Sequence, residues 1–188
     1  MEYNKNRKFV RLKTEGGQAM RQYSCCFTGH RALSAADSAA LEPALRSEIR
    51  RLFESGVTEF YAGGARGFDM LAEKTVLALK KELPIRLHLM LPSPQQAERW
   101  PQHLRREYED ILKQADSVHY VSDEYDASCM HRRNDAMVER SAYCICYLQW
   151  ERGGTAYTVK RARRAGCTVI HLLTVEPEQL TIETAAEK

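Results

Sequence analysis

The sequence predicts a single three-layer α/β/α domain, in which a mainly parallel sheet lies between two layers of helices. Short apolar runs alternate along the whole chain with longer segments whose apolar residues recur every three or four positions. The run over residues 142–148 is continuously apolar, which is typical of a strand buried on both faces of a parallel sheet. A length of 188 residues suits one hydrophobic core.

Each element has its own signal. In segment 35–54, Leu41, Leu45 and Ile49 follow a helical spacing, and Gly56 closes the helix. Pro84 ends the second helical pattern, and the third spans Pro101, where we expect a bend or a restart. In chain order the predicted elements are strand 23–28, helix 35–54, strand 57–62, helix 68–82, strand 85–91, helix 95–115, strand 118–121, helix 131–140, strand 142–148, helix 155–165 and strand 167–173.

The charge is unevenly distributed along the chain. Residues 1–21 carry a net charge of +4, which leaves −1 for the remainder of a chain whose total is +3. We expect a flexible basic leader over residues 1–20, one domain over residues 21–175 and a loose C-terminal end over residues 176–188. The nearly neutral domain disfavours general binding of polyanions, although contact between the basic leader and nucleic acid remains an alternative.

Composition excludes several classes of protein. The chain has no apolar stretch long enough to span a membrane and no apolar segment behind its polar first residues, so we expect a cytoplasmic protein without a membrane partner. Five of the six cysteines lie in strand-like runs, where they act as small reduced hydrophobes. Cys129 and His131 are too few to ligate a metal, so no site made of protein ligands alone is predicted. A homo-oligomer is among the oligomeric states that the sequence allows.

Three turns after predicted strands contain residues suited to anion binding: 28–31, 63–69 and 153–155. The carboxyl ends of parallel strands share one edge of the sheet, so these turns should converge there. Glycines allow a ligand to approach the backbone, and helix N-termini offer unpaired N–H groups. The sequence therefore predicts a site for a phosphate-bearing ligand. The candidate binding residues are Thr28, Gly29, His30, Arg31, Gly63, Gly64, Arg66, Gly67, Asp69, Arg133, Asn134, Gly153, Gly154 and Thr155.

These candidates divide by role. The expected phosphate donors are Gly64, Gly67, Gly154 and Thr155, and the arginines that would balance charge are Arg31, Arg66 and Arg133. Asp69 lies in the first turn of a predicted helix, where it is a carboxylate stabilised by the helix dipole, a ligand for a ribose hydroxyl, or an acid/base group. It could also hold Mg²⁺ through a phosphate. The turn 63–69 lacks the G-x-G-x-x-G pattern, which disfavours NAD hydride chemistry.

These turns carry a family resemblance. The segments 26–31, 63–69, 133–138 and 153–159 occur in this order, together with Gln96, Trp100, Tyr108 and the pair Ala115-Asp116. This combination resembles the YpsA-like family of the SLOG superfamily, which groups DprA with the LOG-type nucleotide hydrolases. The resemblance runs from about residue 23 to residue 173. It implies a Rossmann-like fold and a site for a nucleotide or a nucleotide derivative, without naming a reaction.

The resemblance leaves three functions open. The leading expectation is binding of a nucleotide-derived small ligand, with Asp69 against the ribose. The second is hydrolysis of an N-glycosidic or phosphate bond with Asp69 as the acid/base. LOG-type hydrolases carry a glutamate three residues after the threonine of their glycine-rich turn, whereas Thr158 stands there in this chain. The third is binding of single-stranded DNA in the manner of DprA, whose Gly-Ile-Asp turn resembles the segment 62–71.

Overall fold

A computed structural model describes residues 20–172, which form one six-stranded sheet in the order β4-β3-β2-β1-β5-β6, with every neighbouring pair parallel. The strands are β1 Ser24–Gly29, β2 Glu59–Ala62, β3 Arg86–Leu91, β4 Ser117–Tyr120, β5 Tyr143–Tyr147 and β6 Thr168–His171. The helices are α1 Ala35–Glu54, α2 Phe68–Leu79, α3 Gln102–Gln114, α4 Cys129–Glu139 and α5 Gly153–Arg164, with a short 3-10 helix over Pro94–Ala97. The predicted leader, apart from Met20, and the predicted loose end lie outside the described residues.

Helices cover both faces of the sheet. One apolar cluster joins the sheet to α1, α2 and α3, and it includes the side chains of Leu45, Phe60 and Val76. A smaller cluster on the other face joins the sheet to α4 and α5, through Met137 and Val159 among others. The central strands β1 and β5 are buried along nearly their whole length, which agrees with the continuous apolar run over residues 142–148, whereas the edge strands β4 and β6 are only partly buried. The predicted three-layer α/β/α fold is confirmed.

Local chemistry explains where two helices begin. Ser34 and Asp37 form a capping box at α1: the backbone N–H of Asp37 donates to Ser34 Oγ at 2.9 Å, and the N–H of Ser34 donates to the Asp37 carboxylate at 3.1 Å. The segment predicted as one helix over 95–115 is divided, because Pro101 has a ψ of 146° and α3 starts only after it. No helix within residues 20–172 is long and apolar enough to cross a membrane.

The strand order places a topological switch point between β1 and β5. From β1 the chain builds β2, β3 and β4 on one side, and then returns to add β5 and β6 on the other. The pairs Thr28–Cys146 and Gly29–Tyr147 stand opposite each other where these two strands end. The connections after β1 and β5 lead to helices on opposite faces of the sheet, so a crevice opens between them.

Candidate functional site

A cleft of about 380 Å³ lies at this switch point, at the carboxyl ends of β1 and β5. Ten of the fourteen predicted binding residues line it: Thr28, Gly29, His30, Arg31, Asp69, Arg133, Asn134, Gly153, Gly154 and Thr155. Four further lining residues were not predicted: Phe27, Ala65, Met137 and Arg152. Arg152 had a signal in the sequence, because it immediately precedes the Gly-Gly pair that opens α5.

The N-terminus of α5 forms one wall of the cleft. Gly153 and Gly154 line the cleft, and a Cβ atom added at either position would meet no atom within 4 Å. The first backbone N–H groups of a helix have no partner within the helix. The hydroxyl of Thr155 donates to the carbonyl of Gly29 at 2.9 Å, which fixes the helix against the end of β1. Free N–H groups and the positive end of the helix dipole make this wall suited to a phosphate.

A buried ion pair also lines the cleft. Arg133 from α4 and Asp69 from α2 are both almost fully buried, and Arg133 Nη1 lies 3.3 Å from Asp69 Oδ2. Burial raises the pKa of Asp69, and the attraction of the Arg133 guanidinium opposes that rise. Burial also acts against the charge of Arg133, since it lowers the pKa of the guanidinium. The charge of each residue is therefore stabilised by its buried partner.

Gly63 is the position that allows this pair to form. A Cβ atom at Gly63 would lie 1.2 Å from Arg133 Nη1 and 2.8 Å from Asp69 Oδ2. The guanidinium therefore occupies the space that any side chain at residue 63 would need. Gly63 stands under the ion pair and is not itself among the residues that line the cleft.

Two more predicted binding glycines have structural roles. The backbone N–H of Gly64 donates to Glu73 Oε1 at 2.8 Å, so it is already engaged and not available to a phosphate. Gly67 packs against the backbone of His30 and Arg31, where a Cβ atom would come within 2.6 Å of the Arg31 carbonyl. These two expected phosphate donors instead hold the turn before α2 in place.

Glu73 is a fully buried carboxyl that had no distinguishing signal in the sequence. It lies one helical turn after Asp69, and its Oε2 atom has no hydrogen-bond partner. Burial, and secondly the negative charge of Asp69, raise the pKa of Glu73 well above its ordinary value. The Glu73 carboxyl therefore keeps its proton up to a higher pH in the folded protein than in the unfolded chain.

We expect the substitution Glu73→Gln to change the pH dependence of stability. A raised folded-state pKa means that wild-type stability falls as the pH rises above the unfolded value of about 4.3, by up to about 1.4 kcal/mol per pH unit. The variant lacks this loss, so its stability relative to wild type should increase with pH. Urea unfolding from pH 4 to pH 8 measures the difference, and the exposed Glu98→Gln is the control. A difference that does not change with pH would contradict the assignment.

His30 joins two loops rather than adding charge to the cleft. Its Nε2 atom accepts a hydrogen bond from the backbone N–H of Gln149 at 2.8 Å, so the ring is neutral, with its proton on Nδ1. Partial burial lowers the pKa of His30, which favours the same neutral form. Tyr147 and Trp150 flank the ring, with centroids 5.7 and 5.5 Å away. His30 thus holds the loop after β5 against the loop after β1.

The cleft carries an excess of positive charge. Its lining includes three arginines, Arg31, Arg133 and Arg152, and one carboxylate, Asp69. Within residues 20–172, neither Arg31 nor Arg152 forms an ion pair, and Arg31 Nη2 instead contacts the Met130 sulfur at 3.7 Å. Arg66, which was also expected at the phosphate, lies outside this cleft. An anion is the ligand that this charge distribution favours.

The α5 helix brings no carboxylate to the cleft. Thr158, which stands where LOG-type hydrolases carry a glutamate, is fully buried. Its hydroxyl donates to the carbonyl of Gly154 at 2.9 Å, one turn earlier in the same helix. Among residues 20–172, no group of three or more His, Cys, Asp or Glu side chains could hold a metal ion.

Comparison with solved structures finds the same fold in DNA-processing proteins. DprA from Streptococcus pneumoniae aligns with a TM-score of 0.62 and 16% identity, over 89% of this chain and 55% of that one. DprA from Helicobacter pylori, described by its single-stranded DNA binding mode, aligns with a TM-score of 0.59 and 15% identity, over 92% of this chain and 76% of that one. The protein TM1055 aligns at 0.51 and 14% identity, over 78% of this chain and 71% of that one.

Comparison of sequences identifies the family. A UPF0398 protein of Halalkalibacterium halodurans is 28% identical over 128 residues, covering 66% of this chain and 68% of that protein. A UPF0398 protein of Oceanobacillus iheyensis is 26% identical over 120 residues, covering 62% of this chain and 65% of that protein. The YpsA family model, described as the YspA SLOG family, matches residues 25–180. The chain therefore belongs to the YspA SLOG family.

Proposed function

We propose that the protein binds a phosphate-bearing, nucleotide-derived small ligand in the switch-point cleft, with the phosphate at the N-terminus of α5. One observation carries the proposal: the unobstructed start of α5 at Gly153 and Gly154 faces a cleft whose lining holds three arginines and one carboxylate. Backbone N–H groups at a helix start, combined with guanidinium groups, are strong ligands for phosphate oxygens. Membership of the SLOG family supports a nucleotide-related ligand.

The proposal assigns different tasks to the lining residues. Gly154 and Thr155 donate backbone N–H groups to the phosphate, and Arg31 and Arg152 supply positive charge from the rim. Asp69 is a positioning residue, because its carboxylate holds the buried Arg133 guanidinium beside the cleft. A ribose hydroxyl is a second partner for Asp69, since this side chain also lines the cleft.

The geometry supports binding more strongly than hydrolysis. A general acid/base needs a carboxyl group that is free to exchange a proton with the substrate. Asp69 is 6% exposed and paired with Arg133, and its Oδ2 atom also accepts the N–H of Ala65 at 3.4 Å. Thr158 lies buried within α5 and offers no substitute.

Single-stranded DNA is the second candidate ligand. The observation in its favour is the likeness to DprA, of which the Helicobacter pylori protein is described by its single-stranded DNA binding. An arginine-rich cleft suits a backbone phosphate as well as a nucleotide phosphate. The two ligands differ in salt dependence, because each neutralised phosphate of a single strand adds about 0.7 to the slope of log affinity against log salt concentration.

We expect Gly154→Asp to weaken binding of AMP and ADP-ribose by at least about tenfold. A carboxylate at this position lies beside the bound phosphate, where like charges a few ångströms apart repel by about 1 kcal/mol in water and more in a cleft. The fold tolerates the change, since the position is unobstructed and an acidic residue stabilises the first turn of a helix. Isothermal calorimetry measures the affinity.

The matched control is Gly154→Asn, which has the same size and no charge, and it should retain most of the affinity. Equal losses in the two variants would indicate a steric effect and contradict the placement of the phosphate. If a short oligonucleotide binds to the wild type with a steep salt dependence while AMP and ADP-ribose do not, DNA becomes the ligand.

A further inference from the structure

A second, smaller cleft of about 110 Å³ adjoins the first. Its lining residues are Arg31, Ala65, Arg66, Gln96, Trp100 and Met130. Arg31 and Ala65 line both clefts, so the two spaces border each other across these residues. A ligand anchored at the N-terminus of α5 can therefore extend past Ala65 into the smaller cleft.

The distinctive feature of the smaller cleft is a guanidinium lying over an indole. The Cζ atom of Arg66 is 5.8 Å from the centroid of the Trp100 ring. In the part of the chain that the structure describes, Arg66 forms no ion pair with a carboxylate, so the indole is its partner. Tyr108 packs edge-on against Trp100 at 5.3 Å and holds the indole in place. Such paired planar groups are the surfaces on which proteins stack nucleotide bases.

The remaining walls fit the same kind of group. Gln96 is oriented by a hydrogen bond from its Nε2 to the carbonyl of Gly64. The Met130 sulfur contacts two guanidinium groups, at 3.7 Å from Arg31 Nη2 and 3.8 Å from Arg133 Nη2. A polarisable thioether packs well against aromatic rings. The lining holds two arginines and no carboxylate, which favours a flat group that carries no positive charge.

We propose that the smaller cleft holds the base of a nucleotide whose phosphate lies at the N-terminus of α5. This inference rests on the proposed function and narrows it: the ligand is a nucleoside phosphate or a derivative that retains the base, and a sugar phosphate without a base binds more weakly. Arg66, expected from the sequence to neutralise phosphate, acts with Trp100 on the base.

Tryptophan fluorescence tests the inference directly. The chain has two tryptophans, so Trp150→Phe leaves Trp100 as the only one and keeps an aromatic ring beside His30. We expect AMP to quench the emission of Trp100 and ribose 5-phosphate to leave it unchanged. By calorimetry, AMP should bind roughly 5- to 150-fold more tightly than ribose 5-phosphate. Trp100→Leu should remove this preference without weakening the binding of ribose 5-phosphate.

The probes separate failure of the inference from failure of the proposed function. Equal affinities for AMP and ribose 5-phosphate, with no quenching, would overturn the base site while leaving the phosphate site intact. Pyrophosphate that binds more tightly than AMP, and loses that advantage in Arg66→Met, would show a second anion in the smaller cleft and also overturn the base site. If none of the three probes binds, both proposals fail.

Discussion

Replacing Gly63 by alanine should lower the free energy of unfolding by about 3 kcal/mol or more, although it adds a single methyl group. The new Cβ atom would stand 1.2 Å from Arg133 Nη1, so the guanidinium must leave its place beside Asp69. Asp69 would then be a buried carboxylate without its cation, and loss of one partner from a buried pair typically costs about 3–5 kcal/mol. Urea denaturation followed by circular dichroism measures the loss.

Gly154→Ala is the matched control for this experiment. It makes the same chemical change at a glycine that lines the cleft, but the added methyl group meets nothing within 4 Å. Alanine is also the better residue in a helix, by up to about 1 kcal/mol. The control should therefore be as stable as wild type or more stable. If Gly63→Ala is equally harmless, the Arg133 side chain can adopt another conformation without a clash, and the ion pair does not determine the geometry of the cleft.

Arg133→Met should destabilise the fold by about 3–5 kcal/mol at neutral pH, because it removes the cation of the buried pair and leaves the Asp69 carboxylate without a partner. Methionine keeps much of the apolar stem, so lost packing contributes little. Asp69 and the neighbouring Glu73 remain buried in this variant. Asp69 loses the only guanidinium that pairs with it within residues 20–172. Because protonation neutralises Asp69, the penalty should shrink as the pH falls.

A double-mutant cycle isolates the interaction. Asp69→Asn removes the charge that Arg133 balances, so Arg133→Met combined with Asp69→Asn should be more stable than the sum of the two single effects allows, by at least about 1 kcal/mol. Additive effects would show that the 3.3 Å contact carries no coupling. The cycle has a functional readout as well, since Arg133→Met should weaken AMP binding even at a pH where its stability is partly recovered.

Much of the fold could be predicted because its elements carry local signals. Helix α1 has the predicted bounds, since the cap at Ser34 and the regular spacing of Leu41, Leu45 and Ile49 both act within a few residues. Strand β2 begins two residues later than expected, because the N–H of Val57 still bonds to the carbonyl of Leu52 at the end of α1. A pattern of apolar residues cannot distinguish these two uses of a backbone N–H.

Part of the site was predictable for a similar reason. The rule that parallel sheets bind ligands at one edge identified the three turns, and ten of the predicted residues line one cleft. The sequence did not distinguish the glycines of the second turn. Gly64 and Gly154 are both glycines near helix starts, yet the N–H of Gly64 donates to the buried Glu73, whereas Gly154 lines the cleft with open space around its Cα atom.

The sequence by itself determined that this chain forms a parallel α/β domain with glycine-rich turns at one edge of the sheet. The spacing of apolar residues and the positions of glycine and proline between the elements are local properties that can be read directly from the sequence. Only the tertiary structure decided which charges meet. Asp69 and Arg133 are 64 positions apart, and Gly63 is required because their guanidinium and carboxylate meet above it. Arg66 likewise pairs with Trp100 through space. Electrostatic interactions and close contacts depend on distances that arise only when the elements pack, so they cannot be deduced from residue type and spacing alone.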